Sequence, residues 1–380
     1  MSSPDRSATA KAAAAGLRRF APQIAATNVL VGFDGFVDSI IRVVDQRQDH
    51  DHFTPIDTIE RFGMKVLAAA GQSSNYELVI TLQKLGGNGP IMANALAAAG
   101  LKVDYVGNVG HPAVHPAFAD FAKAATVHSI ADPGFTDALE FEDGKLMLGK
   151  HLTLKDVNLT RIEQVLGADV FAGLVRGSRL LGLVNWTMLN DCESIWHGIM
   201  RTLAATPGPK RIVFIDLADP EKRSRESLRG ALELMREFAN VADVVLGANL
   251  KESSQIAEVL GITIAGDHEA AIEKTARAIR EKLGLFGVVI HPRKGAAAAL
   301  LTDDGLESAS FAGPFVAKPK LSTGAGDNFN AGFCVGLLAG LPVEQCLCTG
   351  VGTSGFYVRN AHSPTLADLA AFCDDLPPSQ

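Results

Sequence analysis

From residue 322 to 333 the chain reads Ser-Thr-Gly-Ala-Gly-Asp-Asn-Phe-Asn-Ala-Gly-Phe. Gly324, Ala325 and Gly326 open an apolar, small-residue run that reads as a helix. The first amides of a helix lack partners one turn back, and the helix dipole adds positive potential there. With no bulky side chain in the way, such a mouth welcomes an anion such as a phosphate. Asp327 follows directly. A carboxylate beside a phosphate cradle can take the proton of an attacking alcohol, which is what phosphoryl transfer to a hydroxyl requires. Helix capping is the other use of an aspartate at that place.

Four further groups stand where they could serve the same chemistry. Asp34 and Asp38 follow the apolar run Asn28 to Phe33, a buried strand whose carboxyl end is where open α/β sheets bind ligands. Ionised carboxylates only accept hydrogen bonds, which suits polyol hydroxyls; an Asx-turn at Asp34 and a solvated Asp38 would need no ligand. Gly86-Gly87-Asn88 is a glycine turn before a small-residue helix ending at Gly100, and the Asn88 amide can donate to and accept from a substrate. Asn249 and Glu252 sit between a strand and a helix. Their spacing fits a capping box, or a Glu252 that holds Mg²⁺ through water. Finally, the strand Gly287 to Ile290 runs into His291-Pro292-Arg293-Lys294-Gly295, where a basic pair beside a glycine could meet nucleotide phosphates.

The elements that must position these groups alternate along the chain. Strands are expected at 28–33, 103–110, 180–184, 211–215, 243–246 and 287–290, and helices at 91–100, 159–172, 192–205 and 226–239. Such alternation predicts βαβ units and a mostly parallel sheet. Residues 136 to 148 read as a hairpin turning at Asp143-Gly144. The interval 39 to 80 differs: residues 45 to 52 are polar and charged, 58 to 70 have helical periodicity, and the whole reads as an insertion covering a site. His50 and His52 lie near aspartates, but local spacing fixes no third metal ligand, so a solvated loop is expected.

The chain has 380 residues, is 47% hydrophobic and 6% aromatic, and carries a formal charge of −7. That length suits one large α/β domain with a lid, or two domains. The acidic balance, with no run of Lys or Arg, speaks against nucleic acid as a partner, and no apolar run reaches membrane-spanning length. Five cysteines without C-x-x-C spacing read as reduced thiols in a cytoplasmic protein. No G-x-G-x-x-G opens a helix after the first strand, which sets aside a dinucleotide-dependent dehydrogenase.

In this order and context the motifs resemble the ribokinase-like carbohydrate kinases, the PfkB family, over roughly residues 28 to 370. The resemblance implies a three-layer α/β/α fold with a mostly parallel central sheet and a small lid. Lid elements would lie within 39–84 and 136–148. Residues 1–27 would form a helical N-terminal extension, and 371–380 a C-terminal tail. It implies Asp327 as catalytic base, with the backbone of Gly324, Ala325 and Gly326 as anion hole. Asp38, Asp34, Gly86, Gly87 and Asn88 would hold the sugar. Asn249, Thr323, Lys294 and Gly295 would face the nucleotide, and Glu252 would order Mg²⁺, through water. The expected reaction moves the γ-phosphoryl group of ATP to a sugar hydroxyl. Lids of this family often pair between subunits, so a homodimer is expected.

Three departures from the family pattern stand out. Ile91 occupies the place of an asparagine, and Asn88 is the residue expected to substitute for it. Leu321 replaces an aspartate that in relatives helps hold a monovalent cation, which predicts weak or absent K⁺ activation. His291 to Lys294 replaces a Thr-Leu-Gly-like nucleotide loop. Two rival readings keep the fold. One is a nucleoside kinase, with Trp186, Trp196, Phe33 and Phe36 as aromatic candidates for a base pocket. The other is a non-catalytic metabolite sensor.

Overall fold

The structure, a computed structural model, describes residues 5–263, 269–303 and 305–379. Its main sheet takes β1 (Asn28–Phe33), β5 (Lys102–Gly107), β6 (Thr126–Ser129), β9 (Leu180–Val184), β10 (Ile212–Asp216), β11 (Asp243–Ala248), β12 (Gly287–Ile290), β13 (Gly295–Thr302) and β14 (Gly305–Ala312). They lie in the order β14-β13-β12-β11-β10-β9-β1-β5-β6. All neighbouring pairs are parallel except β12 with β13 and β13 with β14.

Burial on both faces explains the near-continuous apolar strands. In β1, Val29 and Val31 enter one core and Leu30 the other. Such a sheet must be covered on each side by helices, giving three layers. The first layer includes Asn88–Ala98, Ala325–Leu338 and Val343–Asn360; the second includes Cys192–Ala204 and Arg225–Phe238. The expected helix at 159–172 is two, Leu159–Leu166 and Ala168–Gly177, because Gly167 at φ 92° breaks it.

The N-terminal helix Arg6–Ile24 buries Ala13, Ala14, Leu17 and Phe20 against the C-terminal helices Val343–Asn360 and Leu366–Asp374. It is an integral part of the first layer rather than an appendage. The last helix likewise runs past residue 370, with Cys373 buried.

The lid is a second sheet: β2 (Phe36–Arg47), β3 (Phe53–Pro55), β4 (Leu78–Gly86), β7 (Gly134–Phe141) and β8 (Gly144–Lys150). It has its own small core of Ile41, Val43, Ile56, Leu139 and Phe141, with Phe62 from the helix Ile59–Ala68 packed on it. The stretch 45–52 is less loop-like than expected, since β2 continues through Arg47. His50 and His52 are exposed, and His52 Nδ1 pairs with Asp49 at 2.8 Å. No cluster of three or more metal-ligating side chains occurs among the described residues. No described helix is long and apolar enough to cross a membrane.

Candidate active site

The strand order reverses at β1. From it the chain builds outward through β5 and β6, then returns to build β9 and β10 on the other side. Crevices outside the carboxyl ends of strands at such a switch point are where ligands bind. Asp34 follows β1, Asn185 follows β9 and Asp216 ends β10, so three of the site's polar side chains are set by the sheet itself.

The helix Ala325–Leu338 points its start into this crevice. Gly324 caps it at φ 86°, a backbone conformation that suits glycine. Ala325 N–H donates to Ser322 O at 3.2 Å, while the amides of Gly326 and Asp327 have no carbonyl one helical turn back. Residues 324 to 326 are partly open, whereas Asp327 is only 7% exposed. Asn88 Nδ2 donates to Asp327 Oδ1 at 2.8 Å. Burial raises the Asp327 carboxyl well above the usual carboxylate range, and the negative charges of Asp216 and Asp34 push the same way. A carboxyl so placed is a stronger proton acceptor than a solvated one once ionised.

Asp34 corrects a sequence expectation. It is fully buried, and Oδ1 accepts from Gly89 N–H at 2.8 Å. Its Oδ2 accepts from Asn88 N–H at 3.0 Å and Asn185 Nδ2 at 2.7 Å. Burial raises it to about 6 against the pull of these donors. Its oxygens cap the helix Asn88–Ala98 rather than grip a hydroxyl. Asp38 is the other carboxylate expected near the crevice. It lies on lid strand β2, opposite Lys84 of β4 and Thr136 of β7, and partial burial raises its pKa.

The glycine pair has a steric cause. A Cβ at Gly86 would come within 2.6 Å of Asp38 Oδ2, and one at Gly87 within 2.8 Å of Asp34 Oδ2. Gly87 also stands at φ 98° as the N-cap of the helix. Ile91, in the place of the expected asparagine, would meet a Cβ at Gly324 with its Cγ2 at 3.1 Å, so an apolar wall flanks the anion hole there.

Asn249 and Glu252 form a full capping box: Asn249 Oδ1 accepts from Glu252 N–H at 3.0 Å, and Glu252 Oε2 from Asn249 N–H at 2.8 Å. Glu252 Oε1 accepts from Asp219 N–H at 2.9 Å. Each carboxylate oxygen keeps a second lone pair, so the residue fits ordering a hydrated ion better than direct ligation. Thr323 is exposed and its carbonyl accepts from Tyr357 Oη at 2.9 Å. Lys294 is exposed on the turn into β13, and Gly295 begins that strand.

Several groups escaped the sequence reading. His291, not the basic pair, is the part of its loop that meets the anion hole: its Cε1 would lie 3.3 Å from a Cβ at Gly326, and its ring lies 4.7 Å from that of Phe329. Burial lowers its pKa to about 4, so the ring is neutral. Asp216 accepts from Asn330 Nδ2 at 2.7 Å and Ala218 N–H at 2.9 Å, and burial with the Glu252 charge raises it. Its place at a strand end was the one signal available. Asn185, left-handed at φ 63°, had the same signal, following the strand expected at 180–184. Trp186, Trp196, Phe33 and Phe36 are all buried in the cores and offer no stacking face.

The fold and the family that this chain matches make it a carbohydrate kinase, a phosphotransferase with an alcohol group as acceptor, built on the ribokinase-like fold. The prokaryotic ketohexokinase family matches residues 5–376, and the chain belongs to that family. It is 28% identical to the ketohexokinase of Haloferax volcanii over 375 residues, 98% of this chain and 97% of that protein. It is 25% identical to the 5-dehydro-2-deoxygluconokinase of Shouchella clausii over 306 residues, 77% of this chain and 86% of that one. Among solved structures, ribokinase from Arabidopsis thaliana, complexed with ribose and ATP, superposes with a TM-score of 0.61 at 15% identity, covering 91% of this chain and 98% of that one.

Proposed function

We propose that this chain phosphorylates a hydroxyl of a ketohexose, with MgATP as donor. The reading is carried by Asp327, a buried carboxylate at an open helix mouth, in a chain of the prokaryotic ketohexokinase family. Asp38 and Asn88 hold the acceptor. Asp327 takes the hydroxyl proton as the alcohol oxygen attacks the γ-phosphorus, and the bond to the ADP oxygen breaks on the opposite side. The open backbone of residues 324 to 326 stabilises charge on the group in transit. Glu252 and Asn249 would order a Mg²⁺ ion, which would neutralise phosphate charge; Thr323, Lys294 and Gly295 lie on the nucleotide side. Closure of the lid excludes water and limits idle ATP hydrolysis.

A cytoplasmic location accords with free, buried cysteines. A homodimer through the lid accords with its exposed apolar side chains, Leu78, Ile80, Leu82, Met147 and Leu148.

ADP release with Mg²⁺, measured over fructose and other ketohexoses, ribose, polyols and adenosine, tests the assignment. Turnover on a ketohexose is expected. Turnover confined to adenosine would replace it with nucleoside phosphorylation, and thermal stabilisation by a sugar without ADP release would replace it with sensing.

A further inference from the structure

Asp327 has two carboxylate oxygens, and Asn88 engages one of them at 2.8 Å. Asn88 is itself held from behind. Its own N–H and that of Gly89 both end on Asp34, which Asn185 holds in turn. A line of hydrogen bonds therefore runs from the end of β9, past the end of β1, to the base. One turn along the same helix, Ile91 presents only apolar atoms beside Gly324 and has no hydrogen bond to give.

We propose that Asn88 is the positioning residue of the base: it pins Oδ1 of Asp327 and leaves Oδ2 turned to the acceptor hydroxyl. This rests on the reading of Asp327 as general base. It goes further by placing the Asn88 amide on the enzyme's own carboxylate rather than wholly on the sugar. The ionisable groups facing Asp327 are Asp216 at the end of β10, Asp34 after β1, and Tyr357 from the helix Val343–Asn360. Both carboxylates disfavour its charged form, and Tyr357, raised to about 12, is a neutral phenol. The Asn88 amide and the residue's own N–H favour the ionised base.

Two variants test this. Asn88→Ala removes the donor, and Asn88→Asp keeps the shape while replacing the donor with a second carboxylate. Asn88→Ala should lower kcat about 10- to 100-fold with the KM for ATP changed less than about 3-fold. The acid limb of its rate profile should move to higher pH, and Asn88→Asp should move it further. In parallel, the Asp327 carboxyl is titrated by ¹³C NMR, its resonance identified with Asp327→Asn. Its midpoint should rise in both variants. An unchanged midpoint, or a loss confined to the KM of the acceptor, would overturn the proposal. The titration needs no turnover, so a wild type that phosphorylates no ketohexose would remove the substrate assignment while this comparison still decides the role of Asn88. Unfolding of Asn88→Ala is checked by Tm, and the isosteric Asn88→Asp decides if that variant is unstable.

Discussion

The carboxylate of Asp38 fills the space that a side chain at residue 86 would need. A Cβ there would lie 2.6 Å from Oδ2 and 2.8 Å from Oδ1. The two residues sit on adjacent lid strands, where Phe36 pairs with Gly86 and Asp38 with Lys84. A glycine is what lets the acidic side chain lie across the ladder toward the crevice.

Gly86→Ala therefore displaces Asp38. Overpacking of this kind costs about 1–3 kcal/mol, and here it should fall on acceptor binding. The expected result is an acceptor KM raised about 5- to 100-fold with the KM for ATP near the wild-type value. Steady-state kinetics with each substrate varied in turn checks it. A loss confined to the nucleotide would remove Asp38 from the acceptor subsite.

Asp327→Asn should lower turnover about 10²- to 10⁴-fold, the range for loss of a general base. Its Tm should not fall, because the substitution removes a buried charge while an amide oxygen remains for Asn88. Near-normal turnover in this variant would end the assignment of the base.

The pH dependence follows from the same crowding. Asp34, Asp216 and Asp327 all have folded-state values raised above the unfolded 3.8, to about 6 for Asp34. The folded state then holds more protons than the unfolded chain, so stability is highest where these groups are protonated and falls as pH rises through the folded values. For Asp34 the loss runs between about pH 4 and 6, and for Asp216, raised to about 7, it continues toward neutrality. Each such group costs roughly 1.4 kcal/mol per pH unit across its interval. Denaturation at pH 5.5 and 8 should show higher stability at the lower pH, with the difference reduced in Asp216→Asn. Activity runs the other way: kcat/KM should rise with pH, because the base must be ionised, and its acid limb should lie above the ordinary carboxylate range.

Leu321 offers no charge to a monovalent cation. Replacing K⁺ by Na⁺ or choline at constant ionic strength should change kcat less than about 2-fold. Strong K⁺ activation would show that other groups supply such a site.

The edge strand of the lid exposes Ile80 and Leu82 at 53% and 54%. If two copies meet there, Ile80→Lys with Leu82→Lys should convert a dimer to a monomer by light scattering. A wild type that is monomeric at high concentration would exclude the arrangement.

Most of the scaffold was legible because its signals are local. Strands such as β1, β9 and β12 are apolar runs stopped by polar or glycine residues, and Asn249 to Glu252 spells its capping box in four letters. The open helix mouth at Gly324 to Gly326 and the buried Asp327 behind it were legible for the same reason, being contiguous. The chain's antiparallel edge, β13 and β14, was missed because Ala-rich segments carry little strand pattern. Asp34 was assigned to the wrong task because sequence gives its place after a strand but not the amides of Asn88 and Gly89 that arrive from 54 and 55 residues away. Asn185 and the ring of His291 find their partners only in the folded chain, so their places at strand ends were the one local signal.

The lid departs from the main sheet after only two residues, Asp34 and Gly35, and Asp38 is already part of its ladder, while Asp327 belongs to the body. The separation between those two carboxylates is therefore set by the tilt of one sheet against the other. On the proposed roles of Asp38 and Asp327, an acceptor spanning them would act as a gauge block: a molecule too short or too long would leave the jaw at the wrong angle, and size discrimination would come from the hinge instead of from any single pocket wall.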